Sequence, residues 1–150
     1  MARSTHRILA LTYGISLCAI AVQLSMTASA GDNKSKDKPA LSGVWELKGG
    51  EMRIEFADKD VMKLFPHGEN GPIVIVCKCT PEKKLVKAKV TEFEGKDEVI
   101  KQVRELLPAG LEFTFKWQVK DAAATVSDVE GAKTPPILKS HMEGEYEKKK

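Results

Sequence analysis

Little in this chain of 150 residues points to chemistry. The chain holds three cysteines and three histidines, whereas a metal site normally needs three or four donors, and neither His67 nor His141 lies at a recognised spacing. No glycine-rich phosphate cradle, zinc signature or calcium loop occurs. Ser42, Ser127 and Ser140 lack the setting of a nucleophile elbow, and neither His67 nor His141 has a neighbour that suggests a triad. The acids Glu92, Glu94, Asp97 and Glu98 flank a loop and read as solvated. Charge of one sign is also lacking. The chain holds 24 Lys and Arg against 21 Asp and Glu. Arg3 and Arg7 lie in the first thirty residues, which contain no acid, so the remainder carries only +1. That leaves no basic field for nucleic acid. The lysines of "NKSKDKP" and "EKKK" read as solubilising clusters. No cofactor and no enzymatic activity are expected.

What is present begins with location. Arg3, His6 and Arg7 precede the mainly apolar run "ILALTYGISLCAIAVQL" (Ile8–Leu24), and Ala28-Ser29-Ala30 follows. A basic start, an apolar centre and a small-x-small end make a secretory signal peptide, cleaved after Ala30. The run is short for a bilayer span and contains Ser, Thr and Gln. Cys18 follows Leu17, not a small residue, which excludes a lipidated anchor. The expected organisation is a signal peptide over 1–30, a charged linker over 31–40 and one domain over 41–148. The mature protein is expected in the periplasm or outside the cell, without a membrane anchor.

From Leu41 the pattern alternates with period two, broken by turn residues, as in strands. "GVWELK" runs into Gly49-Gly50, and "EMRIEF" returns with Met52, Ile54 and Phe56 on one face. "VMKLF", "IVIVCKC" and "LVKAKVTEF" follow, separated by "PHGENGP" and "TPEKK". "KDEVIKQVRELLPAG" instead places Val99, Ile100, Val103, Leu106 and Leu107 on one helical stripe, ended by Pro108 and Gly110. The spacing predicts an amphipathic helix over about 97–107, either a lid on a barrel mouth or simply a cover for an apolar sheet. "LEFTFKWQVK" then alternates Leu111, Phe113, Phe115, Trp117 and Val119 against polar residues, "AATVSDVEG" gives a weaker strand, and "LKSHMEGEYEK" reads as the last one. The chain is expected to be mainly β: an antiparallel meander of about eight strands with the helix between the fifth and sixth. Its form is a barrel or strongly curved sheet, with an open sheet as the alternative.

Cys77-Lys78-Cys79 sends two thiols to the face of Ile73 and Ile75. Extended geometry sets their Cα atoms at the limit of what a disulfide permits. The pair reads as two small residues on an apolar face. A metal or thiol redox site using Cys77 and Cys79 stands as the alternative.

"LSGVWEL", about eight strands and the closing "EGEYEK" together resemble a lipocalin or calycin β-barrel, in particular small exported bacterial lipocalin-like proteins. Gly43 and Trp45 match the Gly-x-Trp of that family's first strand. The resemblance implies that Trp45 packs across a closed barrel base. The chain departs from the family in having no arginine in the final strand to stack on Trp45, and in a mid-chain helix. Trp45, Phe113, Phe115 and Trp117 are expected to share one interior against which a small apolar ligand would bind. A protein of the cell envelope is the other candidate partner.

Overall fold

The computed structural model describes residues 41–150. The leader and linker expected before them lie outside the described residues. Eight strands close into an antiparallel up-and-down barrel in sequence order. They are β1 (Gly43–Leu47), β2 (Arg53–Asp58), β3 (Val61–Phe65), β4 (Ile73–Glu82), β5 (Leu85–Gly95), β6 (Glu112–Lys120), β7 (Ala123–Glu130) and β8 (Gly144–Lys148). Helix α1 (Asp97–Leu106) lies between β5 and β6, as its apolar stripe predicts, and α2 (Pro136–Met142) lies between β7 and β8. Closure comes from β1 pairing with β8, Trp45 opposite Lys148 and Leu47 opposite Tyr146. Each described strand is thereby paired with a neighbour on both sides.

Alternation sets which residues fill the barrel. Ile54 and Phe56 on β2, Met62 and Leu64 on β3, and Phe113, Phe115 and Trp117 on β6 are all buried. The polar residues between them face outward. Ion pairs such as Lys63–Glu94 at 3.0 Å and Lys89–Glu112 at 3.1 Å lie on the outer face. Two strands switch parity part-way. On β5 the buried series Val86, Ala88, Val90 jumps to Phe93, and on β7 Ala124, Val126 jumps to Val129. Each jump coincides with a register shift. One leaves Thr91 extra between the partners of Val76 and Cys77; the other falls at Asp128, whose φ is +52°. Such bulges bend and twist a strand, which lets a short sheet curl onto itself.

Three readings of the sequence are corrected. "LKSHM" is helix, not strand: Pro136 fits the first helical position, and Leu138 and Met142 are buried one turn apart. His141 accordingly lies on α2. Strand β4 continues through "TPE" to Glu82. Pro81 is tolerated because β3 pairs β4 only as far as Lys78, so its missing N–H costs no ladder bond on that side. Val119 continues the inward series of β6 but is 42% exposed, because it stands beyond Trp117 at the rim.

An up-and-down barrel alternates its connections between two ends. The links β2–β3, β4–β5 and β6–β7 are two-residue turns at one end, Lys59-Asp60, Lys83-Lys84 and Asp121-Ala122. The longer links, including both helices, gather at the other. The two ends therefore differ: a tightly turned base and a helix-covered mouth.

Candidate functional site

The base is plugged by aromatic rings. Trp45 meets Trp117 edge-on, with centroids 5.3 Å apart and planes at 88°. Phe56 meets Trp117 at 5.1 Å, and Tyr146 lies 6.1 Å away from it. The Trp45 indole donates to the Ser42 carbonyl at 2.9 Å. The position over its ring belongs to Lys148, whose Nζ lies 5.5 Å from the centroid; a lysine thus stacks on Trp45 from the final strand. Phe113 and Phe115 stack at 6.1 Å nearer the mouth. All four aromatics singled out in the sequence lie in one buried cluster, none more than 2% exposed.

Cys77 and Cys79 are free thiols buried in that same cluster. Burial pushes the Cys77 thiol up to about 12, and the neighbouring Cys79 adds to this. Burial and then the charge of Asp60 push Cys79 up to about 11. Both are neutral thiols near neutral pH, and the thiolate, the nucleophilic and metal-binding form, is suppressed. Among the described residues, no group of three or more His, Cys, Asp or Glu side chains is placed to hold a metal ion.

The mouth is built differently. Helix α1 has two acids, Asp97 and Glu98, in its first turn, where they complement the helix dipole. Lys96 occupies the N-cap position and makes no side-chain capping hydrogen bond. No residue of α1 is fully buried; Val99, Ile100 and Val103 are half-covered and Leu106 is 55% exposed. Beneath it lies an apolar cleft of about 260 Å³. Val99, Val103, Leu106 and Leu107 form one wall, and Ile137, Leu138 and His141 of α2 form the other. Met52, Ile73 and Ile75 make the barrel floor, and Pro66 and His67 of the β3–β4 loop close one side. Ile137, at the opening, is 48% exposed. A second cleft of similar size is lined by Leu47, Gly50, Glu51 and Ser140, and it shares Met52, Pro66, His67 and His141 with the first.

Two contacts hold the β3–β4 loop in place. Arg53 pairs with Glu69 at 2.9 Å while lying over the Phe65 ring at 4.9 Å, and His67 Nδ1 meets Glu51 at 3.3 Å. His141 Nδ1 lies 2.8 Å from the Ile137 carbonyl. Sequence reasoning takes both histidines as isolated; folding brings them to the walls of the same cleft.

A scan against protein-family models finds no match, and neither do searches of curated proteins and of solved structures. Function must be argued from the mouth itself. There the arrangement can bind an apolar group. Ser140 Oγ lies 3.4 Å from His141 Nδ1, and its hydroxyl donates to the Ile137 carbonyl at 3.0 Å.

Proposed function

We propose that this protein is an exported, non-enzymatic binding domain of lipocalin-like type, which takes an apolar small molecule at the helix-covered mouth of a filled barrel. The carrying observation is the gap of about 260 Å³ between α1, α2 and the barrel floor. An amphipathic helix normally buries its apolar stripe outright, whereas α1 leaves Leu106 exposed and Val103 half-covered. A dry apolar cavity of about 150 Å³ accommodates benzene, so the cleft has room for a substituted ring or a short chain. The interior offers the ligand less. Trp45, Phe113, Phe115 and Trp117 pack on one another, and eight strands enclose little more than their own side chains. In this reading those four side chains form the scaffold beneath the site.

Gly43-x-Trp45 at the start of a closed eight-stranded barrel supports the lipocalin-like assignment. The basic, apolar and Ala-x-Ala segments of residues 1–30 support export. Intact mass of material recovered from the source should begin at Gly31; a full-length mass in the membrane fraction would refute export. For the site, an apolar dye should bind saturably to the wild type. Val103→Glu or Ile137→Glu should weaken that binding at least tenfold while the far-ultraviolet spectrum is kept. Unchanged binding in both variants would remove the mouth as the site.

A further inference from the structure

The two adjoining clefts at the mouth differ in chemistry, and the histidines stand where they meet. The first is walled by Val99, Val103 and Ile137. The second collects Glu51 and Ser140. His67 and His141 line both. Their protonation pattern follows from their partners. A carboxylate only accepts hydrogen bonds, so the His67 Nδ1 that meets Glu51 carries the proton. A carbonyl oxygen also only accepts, so His141 Nδ1, 2.8 Å from the Ile137 carbonyl, carries its proton too. In each neutral ring Nε2 is then the acceptor. Neither Nε2 has a hydrogen-bond partner among the described residues. The boundary between the clefts thus offers two imidazole acceptors and, behind them, the negative charge of Glu51.

Resting on the binding function proposed above, we infer that the mouth selects an amphiphile with a ring-sized apolar body and a hydrogen-donating head, a phenol or alcohol, over a carboxylate. The body fills the apolar cleft and the hydroxyl reaches the boundary, where it donates to an imidazole Nε2. A carboxylate head would bring a second negative charge toward Glu51 and has no proton to offer the acceptors. An ether of the same shape would fill the cleft and leave the acceptors to water.

Calorimetric titration of the full chain with para-propylphenol, its methyl ether and para-propylbenzoate, at a pH where both imidazoles are neutral, tests this. The phenol should bind about three- to tenfold tighter than the ether, the ratio expected of one net hydrogen bond, and the benzoate should bind weakest. In His67→Phe/His141→Phe the phenol should lose its advantage while the ether still binds. Glu51→Gln should narrow the gap between phenol and benzoate. All three positions are exposed or on the rim, and a thermal melt of each variant checks that folding is intact. Equal binding of phenol and ether, or tightest binding by the benzoate, would overturn the inference and leave the binding function standing. No binding by any of the three at millimolar concentration would overturn both.

Discussion

Replacing Trp45 tests the architecture most directly, because this one side chain joins the barrel base in three ways. It is 2% exposed, packs edge-on against Trp117 at 5.3 Å, and donates to the Ser42 carbonyl at 2.9 Å. Truncation to alanine removes a large buried ring and leaves a cavity under Trp117, for which about 3–5 kcal/mol is the usual cost. The lost aromatic pair contributes roughly 0.5–1.5 kcal/mol. The Ser42 carbonyl adds little, since Ser42 is exposed and water replaces the indole. A total of roughly 3.5–6.5 kcal/mol is a large share of the roughly 5–15 kcal/mol that holds a typical domain together. Trp45→Phe keeps a ring against Trp117 but loses the N–H and part of the area, and should cost about 1–2 kcal/mol. Urea unfolding followed by far-ultraviolet circular dichroism measures both without depending on the altered chromophore, and an unchanged m-value keeps the comparison valid. Dye binding at the mouth should survive in Trp45→Phe, because the base and the mouth are opposite ends. An alanine variant within about 1 kcal/mol of wild type would refute the aromatic plug. A phenylalanine variant as weak as the alanine one would show that the hydrogen bond, and not area, carries the base.

Tyr146→Phe should lower stability by about 1–3 kcal/mol, since the hydroxyl donates at 2.7 Å to the Met142 carbonyl and both residues are fully buried; an unchanged melting temperature would contradict this. Burial raises the Cys77 and Cys79 thiols to about 12 and 11 and raises the Tyr146 hydroxyl as well. The thiols' contribution is complete below the unfolded thiol range near 9 and is lost as pH rises through 11 and 12, because the unfolded chain gives up its protons first. Stability should therefore decline above about pH 9, and Cys77→Ala/Cys79→Ala should flatten that decline at a cost of about 1–2 kcal/mol at neutral pH. Rapid reaction of both thiols with a bulky reagent in the native protein would contradict their burial.

Much of the barrel was legible in the sequence because period two translates directly into inside and outside. Leu111, Phe113, Phe115 and Trp117 alternate without a fault, and each is buried. Helix α1 was legible for the matching reason, a stripe at Val99, Ile100 and Val103. The second helix was not. Leu138, Ser140 and Met142 alternate as in a strand, yet Leu138 and Met142 also lie one helical turn apart, and five residues cannot separate the two periods. Only the proline at the helix start distinguished them. The cleft was hidden for a different cause: its walls come from Met52, Ile73, Val103 and Ile137, brought together by the alternation of connections between the two ends. Local pattern carries no trace of that.

The pairing of Trp45 with Lys148 joins strands roughly a hundred positions apart, and it governs how the molecule assembles. Strands β2 to β7 can each dock on the neighbour made just before, so the sheet grows as a succession of local hairpins. The seam between β1 and β8 forms last and needs the ends of a curling sheet to meet, the slow kind of contact. Until then β1 and β8 each present an unpaired edge, and an edge accepts any chain that fits. The β8 of a second molecule fits as well as its own. At high protein concentration, a strained β7–β8 connection should therefore favour exchanged dimers over simple unfolding, and the monomer depends on the seam closing faster than two chains meet.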